Sequence, residues 1–236
     1  MPFNYKPIKV QAALKLAQLT GSSQDTFEAA YTGAWVDALD GAEIPISAFR
    51  DVAMMVAKEI ANVIGNNPND PNRSFLYGRS DDLANLASIP TTDVNGHEFI
   101  GTFDSVADGD NDQPLTLQPT QTLADVANTF FSDTDFYYYN ITGNQIRHTR
   151  DTVYLQGCIW DEDAQIELWD DDGDCPLPQA CASLLVNGIC ANSQQVGWVD
   201  QAQAVAGYAN LYQQGLQMLA GAQNSEPLSA ANPVAG

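Results

Sequence analysis

The feature that most constrains this chain is an apolar stripe in residues 44–65, which read IPISAFRDVAMMVAKEIANVIG. Its apolar residues recur at intervals of three and four, the repeat of one face of an α-helix. They are Ile46, Phe49, Val52, Ala53, Val56, Ala57, Ile60, Val63 and Ile64. Pro45 suits a first helical turn, Ser47 can cap it, and Gly65 ends the repeat. The stripe predicts a helix of about five turns with one side on a core.

Two more amphipathic helices are predicted ahead of this one. Residues 7–20 and residues 24–39 place apolar side chains at helical spacing, and a glycine follows each segment. The connections are short, so neighbouring helices should pack antiparallel. We therefore assign residues 1–90 to an N-terminal helical bundle, in which residues 66–90 form a loop with one or two helical turns.

From residue 91 the helical repeat disappears and is replaced by turn signals and by aromatic or β-branched runs. The clearest hairpin is predicted at residues 135–149, where two such runs flank Gly143. A further strand is predicted at residues 152–160. We assign residues 91–160 to an inserted β-rich region.

Helical spacing returns after an acidic run at residues 161–174, which is expected to be an exposed connector because so many like charges repel. Helices are predicted at residues 179–186 and 200–220, so residues 161–221 should comprise the acidic connector and C-terminal helices that pack on the bundle. Residues 222–236 are small and polar and should form a flexible tail. The predicted fold class is α+β: a mainly α, amphipathic helical bundle interrupted by a small antiparallel β domain.

Composition excludes some functions. Thirty acidic residues against nine basic residues give a net charge of -21, so sequence-specific binding to a nucleic acid is not expected. No run of about 18 apolar residues occurs, so no membrane association is predicted, and we expect no cleaved signal. The four cysteines form no CxxC pair and are predicted to be reduced.

One interpretation of the acidic run is a carboxylate-based glycoside hydrolase, which needs two carboxyl groups beside aromatic side chains. The residues with this chemistry are Asp161, Glu162, Asp163, Glu167, Trp160 and Trp169. Catalysis needs burial that separates the pKa values of the carboxyl groups, whereas a dense acidic run favours solvated ones. The hydrolase is therefore the least favoured hypothesis.

The residue spacings that other metal-binding and catalytic sites require are also missing from the sequence. Two acidic segments, residues 108–112 and 170–174, offer oxygen ligands for Ca²⁺, but neither fits the twelve-residue calcium loop. His97 and His148 have no metal-binding spacing, and Cys158 is interpreted as a buried strand residue rather than a nucleophile. The common phosphate-binding and nucleophile motifs are absent. We expect no enzyme activity and no catalytic, cofactor-binding or metal-binding residues.

Several segments are informative through their order along the chain. They are the helix at residues 44–65, residues 68–86 with Arg73 and the following LANLASIP tail, DVNGHEFIG at residues 93–101, and YYYNITGNQIRHTRDTVYLQGCIWD at residues 137–161. In this order they resemble the head-to-tail adaptor, or connector, proteins of tailed bacteriophages. The resemblance covers roughly residues 40–165, and the remaining C-terminal part is interpreted from its pattern alone.

The resemblance implies a structural virion protein, made in the host cytoplasm and placed in the neck. It implies a ring homo-oligomer, a dodecamer, that binds the portal protein on one side and tail or neck proteins on the other. DNA passes through its channel during ejection, and an acidic wall would repel phosphate groups. These proteins extend a C-terminal arm along the portal, so the predicted partner-contacting residues are Pro227, Leu228, Pro233 and Val234. The alternative is an acidic extracellular or surface binding module.

Overall fold

The computed structural model describes residues 2–21, 35–67, 77–117, 138–200 and 202–221. The contacts divide the chain into two compact units. The helical unit consists of Met1–Asn72 and Glu162–Gly236, and the inserted unit consists of Arg73–Asp161. The fold is α+β, with a mainly helical part and small, mostly antiparallel sheets, which confirms the predicted fold class.

The helical unit is built from amphipathic helices. They are α1 (Tyr5–Thr20), α2 (Trp35–Gly41), α3 (Ile46–Gly65), α4 (Glu162–Asp170), α5 (Ala182–Asn192) and α6 (Ala202–Gly221). Strands β1 (Pro2–Asn4) and β8 (Asp174–Pro178) pair antiparallel, and a 3-10 turn at Gln179–Cys181 leads into α5. Helix α5 packs against α1, α3 and α6, so it lies at the centre of this unit.

The stripe on α3 is buried as predicted. Val56 and Ile60 are fully buried, and Phe49, Val52, Ala53, Ala57 and Ile64 are buried on the same face. Ile46 differs, because it lies in the first turn and is 48% exposed. Pro45 rather than Ser47 is the N-cap residue, and it makes no side-chain cap hydrogen bond. The core of this unit therefore rests on α3 from its second turn onward.

Helix α1 begins earlier than the spacing predicts. The Asn4 side chain accepts a hydrogen bond from the Lys6 backbone N–H and so caps a helix that starts at Tyr5. The helix ends as expected at Gly21, whose φ of 76° is in the left-handed region that glycine adopts easily. Of the helix predicted at residues 24–39, residues 24–34 lie outside the described part, and the remainder lies in α2.

The inserted unit contains two three-stranded sheets. Its strands are β2 (Tyr77–Arg79), β3 (Glu98–Asp108), β4 (Thr116–Leu117), β5 (Tyr138–Thr142), β6 (Gln145–His148) and β7 (Val153–Trp160). One sheet has the order β2, β7, β3 and the other the order β4, β5, β6. Strands β5 and β6 form the predicted hairpin, which turns at Gly143 with a φ of 62°. The core of the unit is formed by Val106, Leu115, Ile146, Val153 and Leu155.

The inserted unit begins at Arg73 rather than at residue 91. Strand β2 pairs with β7, and Leu83 forms a bridge with Val153. The backbone N–H of Leu86 donates to the carbonyl of Ile146. Residues 77–90 contain no helical turn, so the one or two helical turns predicted before residue 90 are absent from the described part of that segment. The apolar spacing of such a short segment does not distinguish a helical turn from isolated β bridges, and pairing with distant strands decides between them.

The exposed connector predicted at residues 161–174 is also corrected, because most of it is helix α4. Glu162 and Asp163 lie exposed in the first turn, where negative charge suits the helix dipole. Gln165 and Trp169 point inward and are buried. Like charges prevent burial of the whole run, but they do not prevent a helix that keeps them on its outer face.

The four cysteines are all described, and they are buried thiols rather than disulfides, as predicted. Burial raises the pKa of Cys175 to about 11 and that of Cys190 to about 12. Thiols with such pKa values stay protonated at neutral pH and react slowly. Within the described ranges, no helix has the length and apolar character that crossing a membrane requires.

Candidate functional site

The four residues predicted to contact a partner are Pro227, Leu228, Pro233 and Val234. They lie outside the described residues, as does the whole predicted tail at residues 222–236. Their role therefore stays a prediction. The candidate surfaces below come from the described parts of the two units.

Part of the acidic run serves the interior of the helical unit. Lys9 on α1 is buried, and its ammonium group donates to the Asp172 carboxylate at 2.8 Å and to the Trp169 carbonyl. The same ammonium lies 5.4 Å from the ring centre of Trp35 and 5.2 Å from that of Trp169. A buried cation needs such compensation. Asp172 thus neutralises an interior charge.

A second carboxylate of this run is held from α3. The Arg50 guanidinium lies 3.2 Å from the Asp170 carboxylate, and both groups are partly exposed. At the end of the run, the Asp174 carboxylate accepts a long hydrogen bond of 3.4 Å from the Asn4 side chain. These carboxylates face side chains of the helical unit rather than one another, so they do not form a cation cage.

The other acidic segment binds cationic and phenolic groups of the inserted unit. The buried Asp108 carboxylate accepts a hydrogen bond from Arg150 Nε at 2.7 Å. Asp112 accepts one from the Tyr154 hydroxyl at 2.9 Å, and the Arg79 guanidinium lies 3.9 Å from the centre of the Tyr154 ring. Among the residues that the structure describes, no group of three or more His, Cys, Asp or Glu side chains gathers as metal ligands do.

The residues considered for a glycoside hydrolase lack the required geometry. Glu162, Asp163 and Glu167 are exposed on α4. Trp160 is 2% exposed and Trp169 is 1% exposed, so neither ring is available to stack on a sugar. A glycosidase needs carboxyl groups in a cleft whose environment separates their pKa values. This set does not provide such a pair.

His97 joins two carboxylates in the inserted unit. Its Nδ1 lies 3.2 Å from Asp93 Oδ2, and its Nε2 lies 3.2 Å from Asp161 Oδ2. Asp93 also accepts hydrogen bonds from the backbone N–H groups of Asn95 and His97, at 2.9 and 2.8 Å. Burial would raise the pKa of Asp93, but these hydrogen bonds and the charge of His97 lower it. Through His97, these contacts link the turn that precedes β3 to Asp161, which directly follows β7.

Cys158 and His148 belong to different sheets. Cys158 lies on β7 opposite Tyr77 and Ile100, whereas His148 lies on β6 opposite Tyr139. Both side chains are buried. Cys158 is therefore a strand residue within a core, as interpreted from the sequence.

The distribution of charge marks a different surface. After Asp174, the charged residues of the chain are Asp200 and Glu226, although the whole chain carries 30 acidic and 9 basic residues. Helices α5 and α6 contain no charged residue. Most of α5 is buried at the centre of the helical unit. Helix α6 therefore provides an uncharged surface on an acidic protein.

One face of α6 packs on the helical unit. Val205, Tyr212 and Leu216 are buried, and the Tyr212 hydroxyl donates to the Glu59 carboxylate at 2.7 Å. Gly188 on α5 permits this close packing, because a Cβ at that position would lie 2.7 Å from the Tyr212 ring. These contacts fix the orientation of α6 about its own axis.

The opposite side of α6 is open. Leu211 is 53% exposed and Met218 is 73% exposed. With Ala204, Gly207 and Gln214 they recur at intervals of three or four, so they lie along one side of the helix. We call these five residues the α6 outer face. A Cβ placed at Gly207 would meet nothing within 4 Å, so the surface there is open.

The sequence contains a pattern that indicates the α6 outer face, but a search for a single apolar stripe along the helix does not detect it. Helical spacing over residues 200–220 places Leu211 in one apolar set with Val205, Tyr212 and Leu216, whereas the structure buries those three residues and leaves Leu211 exposed. Two interleaved apolar rows with no charge between them indicate a helix that contacts neighbours on two sides. The absence of charge over residues 201–225 is the stronger of the two signals.

The chain matches no protein-family model, and no curated protein is significantly similar to it in sequence.

Proposed function

We propose that this chain is a structural protein of a tailed-bacteriophage virion, a head-to-tail adaptor. In this role it forms a ring beneath the portal protein and joins the portal to tail or neck proteins around a channel for DNA. The observation that supports this proposal is the order of its parts. A helical unit is interrupted after α3 by an inserted β unit, and the chain then returns to the helical unit at α4.

The elements of the inserted unit support the same proposal. The segments that resemble an adaptor include the β5 and β6 hairpin, strand β7 and the turn at Asn95 and Gly96. His97 holds that turn to the end of β7, as described above. The described resembling segments of the inserted unit therefore contact one another, as parts of one functional element should.

The charge of the chain suits a channel that passes DNA without retaining it. A net charge of -21 gives each copy a field that repels phosphate groups. Binding to a DNA backbone depends on Lys and Arg that replace condensed counterions, and this chain has nine such residues against thirty acidic ones. We expect the purified chain to leave duplex DNA unshifted in a gel even at low salt. A clear shift would contradict this part of the proposal.

The proposal is tested by co-sedimentation with the portal protein of the virion that encodes the chain. Portal rings and the chain are sedimented alone and as a mixture. The expected result is that the chain moves to the portal fraction at a fixed ratio that saturates. A chain that stays in its own fraction at saturating concentration would contradict the proposal and would favour the acidic binding module.

A further inference from the structure

We propose that the α6 outer face, formed by Ala204, Gly207, Leu211, Gln214 and Met218, is a docking surface for a second copy of this chain. The proposal deepens the ring assembly proposed above by naming the surface through which copies meet, and it rests on that assembly only for its biological setting. The helix face itself is observed independently.

The first observation that supports this docking surface is the exposed apolar area of α6. Leu211 and Met218 lie seven residues apart, two turns along the same side of α6, and both are more than half exposed. Single exposed apolar residues are ordinary, but aligned ones beside small residues form a row that a partner can cover. Ala204 and Gly207 add little bulk, so another chain can approach the helix backbone closely near these positions.

The charge of the chain indicates which partner fits the α6 outer face. Two copies that each carry a net charge of -21 repel one another over most orientations. At physiological salt this repulsion decays over about 8 Å, so the charges beside an interface matter most. Helix α6 is uncharged over its 20 residues, about 30 Å of length. Glu59, a carboxylate that contacts α6, is bound to Tyr212 on the packed side.

Other occupants fit this face less well. A nucleic acid or an anionic membrane would need Lys or Arg, and α6 has neither. A basic protein would gain more from the acidic surfaces of this chain than from its uncharged helix. A second copy gains from a surface where two acidic chains can approach each other, and α6 provides such a surface.

The experiment measures the mass of the full chain by light scattering over a range of concentrations, with no portal protein present. The wild type should rise above the single-chain mass of 25.5 kDa as concentration increases. The double variant L211E/M218E places two charges on the face and should weaken self-association by roughly a hundredfold or more. The matched control is L117E/V196E, which adds the same charge at residues that are 61% and 44% exposed elsewhere, and it should associate like the wild type.

Three results would overturn the proposal. They are a wild type that keeps the single-chain mass at every concentration, a folded L211E/M218E variant that associates like the wild type, and a control that loses association equally. If L211E/M218E melts at a lower temperature than the wild type, L211Q/M218Q replaces it, and association of this uncharged pair at wild-type strength would also overturn the proposal.

A chain truncated after residue 221 tests whether residues 222–236 of the same molecule cover the α6 outer face. If the full chain keeps the single-chain mass and the truncated chain associates, residues 222–236 of the same molecule cover the face, and the proposal is wrong. Because no portal protein is present, failure to bind the portal leaves this result unaffected. The two proposals therefore fail separately.

Discussion

The acidic run and helix α6 lie in the same helical unit and differ in where their side chains make contacts. In the acidic run, Asp172 binds the buried Lys9 and Asp170 binds Arg50. On α6, Leu211 and Met218 extend into solvent. Two carboxylates of the segment whose composition suggests ligand binding thus bind cations of their own unit, whereas the segment without charge offers an open surface.

The difference follows from desolvation. A lysine is buried only when a carboxylate and hydrogen-bond acceptors replace its water, so a carboxylate beside Lys9 is part of the fold. An exposed apolar side chain gains free energy when a partner covers it, at about 25 cal/mol for each Å² removed from water. Charge density alone therefore does not identify a binding site, and its absence over a whole exposed helix is informative.

The greatest loss of stability is expected from a change in the core of the helical unit, to which the acidic run and α6 both belong. Ile60→Ala on α3 should lower the free energy of unfolding by about 2–5 kcal/mol, because a fully buried side chain leaves a cavity. Urea denaturation followed by circular dichroism measures the change. Met55→Ala on the same helix, at a position that is 49% exposed, should change it by about 0.5 kcal/mol or less. Equal effects would show that the stripe does not form the core.

A second substitution tests whether the acidic run is structural. Asp172→Asn removes the negative charge beside Lys9 and should destabilise the fold by about 1–3 kcal/mol, since the ammonium stays buried. The effect is limited because the Asp172 side chain is 37% exposed and water can reach it. Glu167→Gln, on the exposed side of α4, is the matched control and should be close to neutral. An Asp172→Asn variant with unchanged stability would show that this carboxylate of the acidic run is not needed for the fold.

The inserted unit offers a smaller, pH-dependent case of a buried ionisable group. Burial lowers the pKa of His148 from its ordinary value of 6.5, and interactions with the neighbouring backbone and with the charge of Asp108 only partly oppose this. The unfolded chain therefore takes up a proton first as the pH falls below 6.5, so the stabilising contribution is present above pH 6.5 and is lost toward the lowered pKa. The urea midpoint of the wild type should fall more steeply through this range than that of His148→Gln. Parallel slopes would contradict a buried neutral imidazole.

The smallest effect on stability is expected from deletion of residues 222–236. These small polar residues carry little apolar area to bury, so the melting temperature should change little. Binding to the portal should weaken, because the arm predicted to carry Pro227, Leu228, Pro233 and Val234 is removed. Co-sedimentation with portal rings measures this. Full portal binding by the shortened chain would refute the arm, and unfolding would show that the segment belongs to the core.

The parts of the fold that the sequence predicts well are those set by local repeats. The α3 stripe spans five turns, and the β5 and β6 hairpin has a glycine at its turn, so each carries its own signal. The start of the inserted unit is different. Strand β2 has three residues and is defined by pairing with β7, and no local pattern reveals a partner more than seventy residues away.

The candidate site could be predicted only in part from the sequence, for a related reason. The spacing of α6 correctly predicts a helix, but Leu211 and Leu216 belong to different sides, and which side packs depends on α3 and α5. In the same way, the role of Asp172 depends on a lysine more than 160 residues earlier in the chain. Helical spacing shows that a residue lies on a face, and tertiary packing decides which face is covered.

The proposed ring is tested most directly by a density map of the chain mixed with the portal protein encoded beside it. We expect a closed ring of copies on one end of the portal, around a channel, with the α6 outer face of each copy covered by its neighbour. A portal without added density, or a ring in which Leu211 and Met218 remain in solvent, would contradict it.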